Sequence, residues 1–401
     1  MHAARRYKKE CFMPSSPAAL ALVGYLEPRL PAYLEELRQL CAIECPTSSK
    51  DGVDQAGAWV RSWVAARGWT LRDWPDTSAG DSLVATLQGS GQLRIMLVAH
   101  LDTVYPVGIA AARPMRIEGD TLLGPGSADN KSGLLSGLYA MAALHELGLL
   151  ESFGTISLVC GGDEETDMRS SGALLHTLAP DYDIALVLEA GRENGDIVGA
   201  RKGSGNFVLD VYGKAAHAGV EPHRGANAIL ALAHQTIALQ ALNGMRAGVT
   251  VNVGVAQGGT RPNVVPDHAR AEIDVRVIRP EDMAPVGAAI AAIAANPVVP
   301  GVTAALSDGW HFAPMARTPV IAGLAELASA CADELGFSVS DAATGGISYA
   351  NMLSSMGLPV LDGLGPVGGL DHSPNEYISI ASIVPRTALL ALLMLRRAQQ
   401  R

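Results

Sequence analysis

The acids and imidazoles of this chain stand where apolar runs end, and that placement constrains the fold more than any other feature. LVAHLDTV carries His100 and Asp102, GPGSADNKSG carries Asp129, ISLVCGGDEET carries Glu164 and Glu165, ALVLEAG carries Glu189, and GGLDHSPNEY carries His372. Several of these segments read as a buried strand that spills into a polar turn. Near-continuous apolar strands belong to parallel sheets covered on both faces, and ligand sites in such sheets gather at the C-terminal strand ends. A chain patterned this way is expected to bring carboxylates and imidazoles to one spot.

The order of elements extends that reading into an α/β fold. Residues 20 to 43 and Ala58 to Arg67 have amphipathic helical spacing. Strands at Ser82 to Leu87, Arg94 to Ala99, Gly154 to Cys160 and Ile184 to Leu188 alternate with helices at Lys131 to Leu147 and from Ser171. Such alternation predicts a mainly parallel sheet with helices on both faces. Near residue 205 the pattern changes to strand Asn206 to Tyr212, helix Ala226 to Ala241, strands Val249 to Ala256 and Ala269 to Ile278, helix Glu281 to Ala295 and strand Val302 to Leu306. That β-α-β-β-α-β order fits an inserted ferredoxin-like α+β domain. Residues 1–204 and 316–401 are then the two parts of a first domain and 205–315 the insert, the second part adding a helix, a short strand at Leu358 to Leu361, the His372 loop and a closing helix.

Two domains suit 401 residues, and a hydrophobic share of 48% supplies their cores. A net charge of −10 argues against a nucleic-acid or acidic-membrane surface, which needs clustered Lys and Arg. The one basic run, RRYKK at 5–9, reads as a solvated terminus. Pro14, Ser15, Ser16 and Pro17 interrupt any leader-like apolar region, so cytoplasmic residence is expected. No run approaches the roughly 18 apolar residues of a membrane span. Cysteines at 11, 41, 45, 160 and 331 do not form a disulfide framework. Cys41 and Cys45 have metal-compatible spacing but no second Cys or His pair nearby, so packing is the expected role.

Oxygen and nitrogen ligands without thiolates suit zinc, manganese or cobalt, and one carboxylate can bridge two ions. With two His and three carboxylates available, a pair of ions ~3.5 to 4 Å apart is chemically sensible. Asp102, two residues after His100, is placed to orient its imidazole. Glu164 and Glu165 are adjacent, so their side chains diverge and one can bind metal while the other faces water. Each residue taken singly has a plainer reading: a satisfied histidine for His100 or His372, a solvated cap for Glu189, a helix N-cap for Asp129, a solvated turn for Glu164 and Glu165.

The series AHLDTV, GPGSADNKSG, GGDEET, VLEAG, GKAAHAG, RPNVVP and LGPVGGLDHSPNEY resembles the dinuclear zinc peptidases of the aminoacylase and carboxypeptidase type, most closely the glutamate carboxypeptidases that cleave folates. The match runs in order from about residue 30 to about residue 395, with no ligand missing. The resemblance implies a co-catalytic metallopeptidase fold holding two divalent ions in each protomer, zinc first, manganese or cobalt otherwise. His100, Asp129 and Glu189 would hold one ion, Glu165 and His372 the other, and Asp129 would bridge them. Glu164 would be the general base and Asp102 the residue that orients His100. His217 would stabilise the developing oxyanion from the inserted domain of a partner protomer, which implies a homodimer. Arg276 would grip a substrate carboxylate with its planar fork, Asn263 would donate an amide hydrogen bond, and the backbone from Gly345 and Gly346 would line the pocket.

Two segments depart from the family pattern. After the paired glycines, where relatives usually carry Gly-Ser-Asp-Ala or Gly-Thr-Asp-Ala, this chain has Ile347, Ser348, Tyr349 and Ala350, placing Tyr349 where an acid is usual and among the expected substrate contacts. Where an arginine usually precedes the returning proline, it has Trp310, His311, Phe312 and Ala313. Those aromatics suggest a flat or apolar group on the substrate, or packing between the two domains. The expected function is hydrolysis of an amide C–N bond in a small carboxylate-bearing molecule. An aminohydrolase releasing ammonia from an aromatic acid such as an aminobenzoate is a rival, kept alive by Tyr349 and the Trp310 to Phe312 cluster. A catalytically silent dimeric binding protein is another, although no catalytic or ligand residue is lost.

Overall fold

Strands that are apolar at nearly every position can only be covered on both faces. The computed structural model describes residues 14–400 and places three such strands, Phe153–Gly161, Leu93–His100 and Ile184–Val187, side by side in a six-stranded sheet. The full order is Thr70–Trp74, Ser82–Gln88, Phe153–Gly161, Leu93–His100, Ile184–Val187 and Val360–Leu361. The first two joints are antiparallel and the rest parallel, so the sheet is mainly parallel, as expected. His100 pairs with Gly161, and Val98 with Val159 and Val187, which brings the C-terminal ends of the three central strands to one edge. Helix Ser132–Glu146 lies against Leu93–His100 and Phe153–Gly161, and helix Ile380–Gln399 packs in turn on it and on Pro319–Leu335.

A smaller four-stranded sheet holds the remaining site loop. Gly368–Gly369 pairs with Tyr377–Ser379, which pairs with Thr121–Leu123. The His372 loop therefore springs from the strand beside the one that leads into the Asp129 loop. Along the N-terminal stretch, the expected helix over 20 to 43 is two, Pro17–Leu26 and Leu30–Ala42, with a 3-10 turn at Glu27–Arg29 between them. Pro28 and Pro31 lack the N–H that a continuous helix needs, and each starts a new turn. The next helix begins at Lys50 rather than Ala58, because Ser49 Oγ accepts the amide of Gly52 as an N-cap. Cys41, Cys45, Cys160 and Cys331 are free and buried. The basic run at 5–9 and Cys11 lie outside the described residues. Among the described residues no helix is long and apolar enough to cross a membrane.

Chain contacts divide the molecule into two units, one running to Gly199 and resuming over Arg317–Ala343 and from Ser348, the other comprising Ala200–Ala316 with Thr344–Ile347. The second unit is an antiparallel sheet ordered Thr250–Gly258, His268–Val277, Gly203–Tyr212, Thr303–Phe312, with helices Ala228–Gln240 and Pro280–Ala295. Phe207, Leu209, Ile273 and Val275 from the strands close a core with Leu232, Val286 and Ile290 from the helices. Its first strand starts at Gly203, earlier than the expected Asn206, because Gly203 and Gly205 pair with Val277 and Val275 instead of forming a loop. Its last strand runs on to Phe312, and Trp310 stands edge-to-face on Phe207 with ring centroids 5.7 Å apart. Trp310 is half-buried and packs against the core of this unit.

Gly133 shows how closely the first unit is packed at the site. A Cβ there would collide with the Leu188 carbonyl oxygen, one residue before Glu189. Alanine in a helix is normally favoured over glycine by about 1 kcal/mol. Here overpacking outweighs it, and Gly133→Ala is expected to destabilise the protein by about 2 kcal/mol. A urea or thermal melt showing Gly133→Ala at or above the parent would contradict this close approach.

Candidate metal centre

The three central strands deliver their polar residues where they end. His100 is the last residue of its strand, Glu164 and Glu165 follow the end of Phe153–Gly161, and Glu189 follows the end of Ile184–Val187. Asp129 comes from the irregular turn Ser127–Lys131, with φ −118° and ψ 90°, so it is not the N-cap of the next helix. The Asp129–Asn130 peptide is cis. His372 sits in the left-handed region at φ 61°, a conformation costly for a side chain of its size and held where surrounding structure over-determines it.

Asp129 is the meeting point. Its Oδ1 lies 2.9 Å from His100 Nε2 and its Oδ2 lies 3.2 Å from His372 Nε2. Glu189 Oε1 is 3.9 Å from His100 Nε2 on the first side, and Glu165 Oε2 is 3.2 Å from His372 Nε2 on the second. One carboxylate thus faces two separate imidazole–carboxylate pairs, one through each oxygen. Donor atoms of His100, Asp129 and Glu165 all lie within 4.8 Å of one another. The His100 side chain is fully buried, whereas that of His372 is 56% exposed, so one imidazole is deep and the other faces solvent.

The electrostatics of this cluster call for positive charge. Burial alone would lower the pKa of His100, yet Asp102, Asp129 and Glu189 hold it well above the usual imidazole value. Asp129 and Glu165 hydrogen bonds push His372 up to about 10. Burial would raise Asp129, but the two imidazoles hold it below the normal carboxylate range. Glu164 is pushed well up, first by burial and then by the charges of Glu189, Asp129 and Glu165, with His100 opposing. Glu165 Oε1 is buried with no hydrogen-bond partner, in a cluster otherwise rich in polar contacts. The donors are all nitrogen and oxygen, one carboxylate is two-sided and one buried oxygen is free, and these residues fit divalent cations.

Four supporting residues are invisible in the sequence or only partly visible there. Asp102 does more than orient His100, whose Nδ1 lies 3.3 Å from its Oδ1. It also accepts the amides of Glu164 (3.1 Å) and Glu165 (3.0 Å) and the hydroxyl of Thr47 (2.6 Å). Glu376 is almost fully buried and accepts the amides of Gly126 (2.8 Å), Ala128 (2.7 Å) and Asp129 (2.9 Å), and burial pushes its pKa up to about 7 against those donors. Asn130 donates to Glu189 Oε2 at 2.9 Å and to the Leu188 carbonyl at 3.1 Å. Nothing marks Thr47 or Asn130 in the sequence; for Glu376 the one signal is its place four residues after His372.

Tyr349 is fully buried in the first unit, with its hydroxyl bonded to Ser171, so it presents no surface to a substrate and its expected substrate contact is corrected. In the second unit the segments of His217 and Asn263 are paired: Ala218 N donates to Asn263 O at 3.0 Å, and both side chains are exposed. His217 Nδ1 accepts the amide of Gly219 at 3.1 Å. Arg276 engages Asp274 of its own strand with both arms of its fork, at 3.0 and 2.7 Å. Gly346 is exposed, and its carbonyl accepts from Arg201 at 3.0 Å.

Known proteins resemble this chain in sequence and in fold. Carboxypeptidase G2 of a Pseudomonas species (strain RS-16) is 29% identical over 377 residues, 91% of this chain and 89% of that protein. One component of the p-aminobenzoyl-glutamate hydrolase of Escherichia coli K12 is 34% identical over 169 residues, 40% of this chain and 35% of that one. Among solved structures, the Bacillus subtilis YXEP protein, described as a dinuclear metal-binding peptidase, superposes with a TM-score of 0.69 at 16% identity, covering 94% of this chain and all of that one. Residues 96–396 match the family described as peptidase family M20/M25/M40. The chain belongs to that family and is a metal-dependent peptidase or amidohydrolase.

Proposed function

We propose that this chain hydrolyses an amide C–N bond of a small carboxylate-bearing substrate, as a carboxypeptidase or an N-acyl amino acid amidohydrolase. The observation that carries the reading is Asp129, which offers one oxygen to the His100–Glu189 pair and the other to the His372–Glu165 pair, beside the buried carboxyl of Glu164. His100, Asp129, Glu165, Glu189 and His372 would hold two divalent ions, zinc foremost and manganese or cobalt otherwise. Ions bound there would supply a lowered pKa to a water and polarisation to the substrate carbonyl. Asp102 fixes the ring of His100 and, through two amides, the backbone that carries Glu164.

Glu164 would take the proton of the attacking water and return it to the leaving nitrogen. A carboxyl whose pKa is raised above the ordinary range suits both halves of that transfer. Arg276 would hold the substrate carboxylate, for which a substrate would compete with Asp274; Asn263 and the backbone at Gly346 would complete the grip. The names of two relatives, a carboxypeptidase and a hydrolase of p-aminobenzoyl-glutamate, support an amide to an amino acid as the scissile bond. Ammonia release from an aromatic acid loses the support of Tyr349, which is fully buried, and Trp310 leans on Phe207 of its own unit. Family membership likewise sets aside the silent binding protein.

Glu164→Gln is expected to keep its metal content while turnover of N-acyl amino acids, dipeptides or p-aminobenzoyl-glutamate falls by a factor of about 10² to 10⁴. Normal turnover in that variant would remove Glu164 as the base. His372→Ala, assayed by elemental analysis, should bind fewer equivalents of metal than the parent. Equal content would dissociate His372 from the centre.

A homodimer is part of the same proposal. Thr250–Gly258 is an edge of the second unit's sheet, and the neighbouring helix exposes Ile229, Leu230 and Ile237 beside it. Unpaired strand edges and exposed apolar stripes are surfaces that a second copy covers. His217 would then serve the partner's site as an oxyanion donor. Mixing inactive His217→Ala with inactive Glu164→Gln protomers is expected to restore part of the activity, since some mixed dimers hold one intact site. Verified mixed dimers that stay inactive would exclude the role across the interface.

A further inference from the structure

The phenol of Tyr349 reaches the turn that carries Glu164 at two places, directly at Gly161 and through Ser171 at Asp163. Its hydroxyl donates to Ser171 Oγ at 2.7 Å. Ser171 Oγ donates to Asp163 Oδ1, and Asp163 also accepts the amides of Ser170 at 2.8 Å and Ser171 at 3.0 Å. Asp163 directly precedes Glu164 and is itself buried. The same phenol oxygen lies on Gly161, the last residue of the strand, so closely that a Cβ there would collide with it. The turn from Gly161 to Glu165 is therefore gripped twice, by Asp102 on its amides and by the Tyr349–Ser171–Asp163 chain.

We propose that Tyr349 is a positioning residue for the base, its hydroxyl locking the turn through Ser171 and Asp163 so that the Glu164 carboxyl keeps one direction. The inference rests on the reading of Glu164 as the base. A ring that merely filled the core would work equally well without its oxygen. The buried chain of donors is directional: the phenol proton goes to Ser171, whose own proton is then committed to Asp163, leaving each hydroxyl one role.

Tyr349→Phe keeps the ring and removes only that oxygen. In the metal-loaded enzyme, kcat on p-aminobenzoyl-glutamate or an N-acyl amino acid should fall about tenfold while KM stays within about twofold, because the geometry of the base changes and the substrate grip does not. Metal content should equal the parent's. Hydrogen exchange read by mass spectrometry, without substrate, should rise about tenfold in peptides covering 161–167 and stay unchanged in the rest of the unit. Ser171→Ala should reproduce both effects, and the double variant should be no worse than either single one, as members of one chain require. An unchanged kcat, unchanged exchange in 161–167, or a rise spread over the whole first unit would overturn the proposal. The exchange arm needs no turnover, so it decides the locking of the turn even if the amide-hydrolase reading fails.

Discussion

Several carboxylates crowded around one half-buried aspartate, Asp129, form the constraint to which the rest of this fold answers. Two like charges ~4 Å apart repel by about 4 kcal/mol at an effective dielectric constant of 20. A cluster of Asp102, Asp129, Glu165 and Glu189 is therefore stable only with compensating positive charge and with backbone held rigidly enough that the acids cannot swing apart. The raised pKa values of His100 and His372 express the first requirement. The second is met by side chains that bind backbone: Glu376 across three amides of the Asp129 turn, Asp102 across two amides of the Glu164 turn, Asn130 on the Leu188 carbonyl. Divalent cations satisfy the charge requirement more fully than protons, since each carries two charges and several ligand positions at once.

The parts of this arrangement that sequence discloses are those written in a short window. An apolar run with an acid or imidazole at its end is visible in eight residues, and the strands at Leu93–His100, Phe153–Gly161 and Ile184–Val187 lie within a residue or two of where their patterns put them. The β-α-β-β-α-β order of the second unit is equally legible, because its strands alternate and its helices are long. What stays hidden depends on partners distant in the chain. Glu376 resembles any loop acid until the Asp129 turn folds onto it, and Thr47 resembles any loop threonine until Asp102 arrives. Tyr349 misleads for the same reason: its burial is set by Gly161 and Ser171, neither of which a local pattern connects to it. The helix boundaries near the N-terminus differ in kind, since Pro28, Pro31 and Ser49 are local signals that outweigh the apolar spacing around them.

The two sides of Asp129 differ in a way that bears on chemistry. The imidazole of His100 is sealed from solvent and is fixed through both ring nitrogens, one toward Asp102 and the other toward Asp129. The imidazole of His372 is exposed and rides on a loop held between two short strands with a left-handed residue at its centre. The exposed imidazole of His372 can exchange ligands with solvent more readily than the buried one of His100. Glu164 extends from the turn that also supplies Glu165 to the His372 pair, while the amides of both residues are tied to Asp102, which orients His100. Glu164, the proposed base, is thereby referenced to both sides through a single buried carboxylate. A displacement of Asp102 would move the ring of His100 and the backbone of Glu164 together, which preserves their relation where independent supports would not.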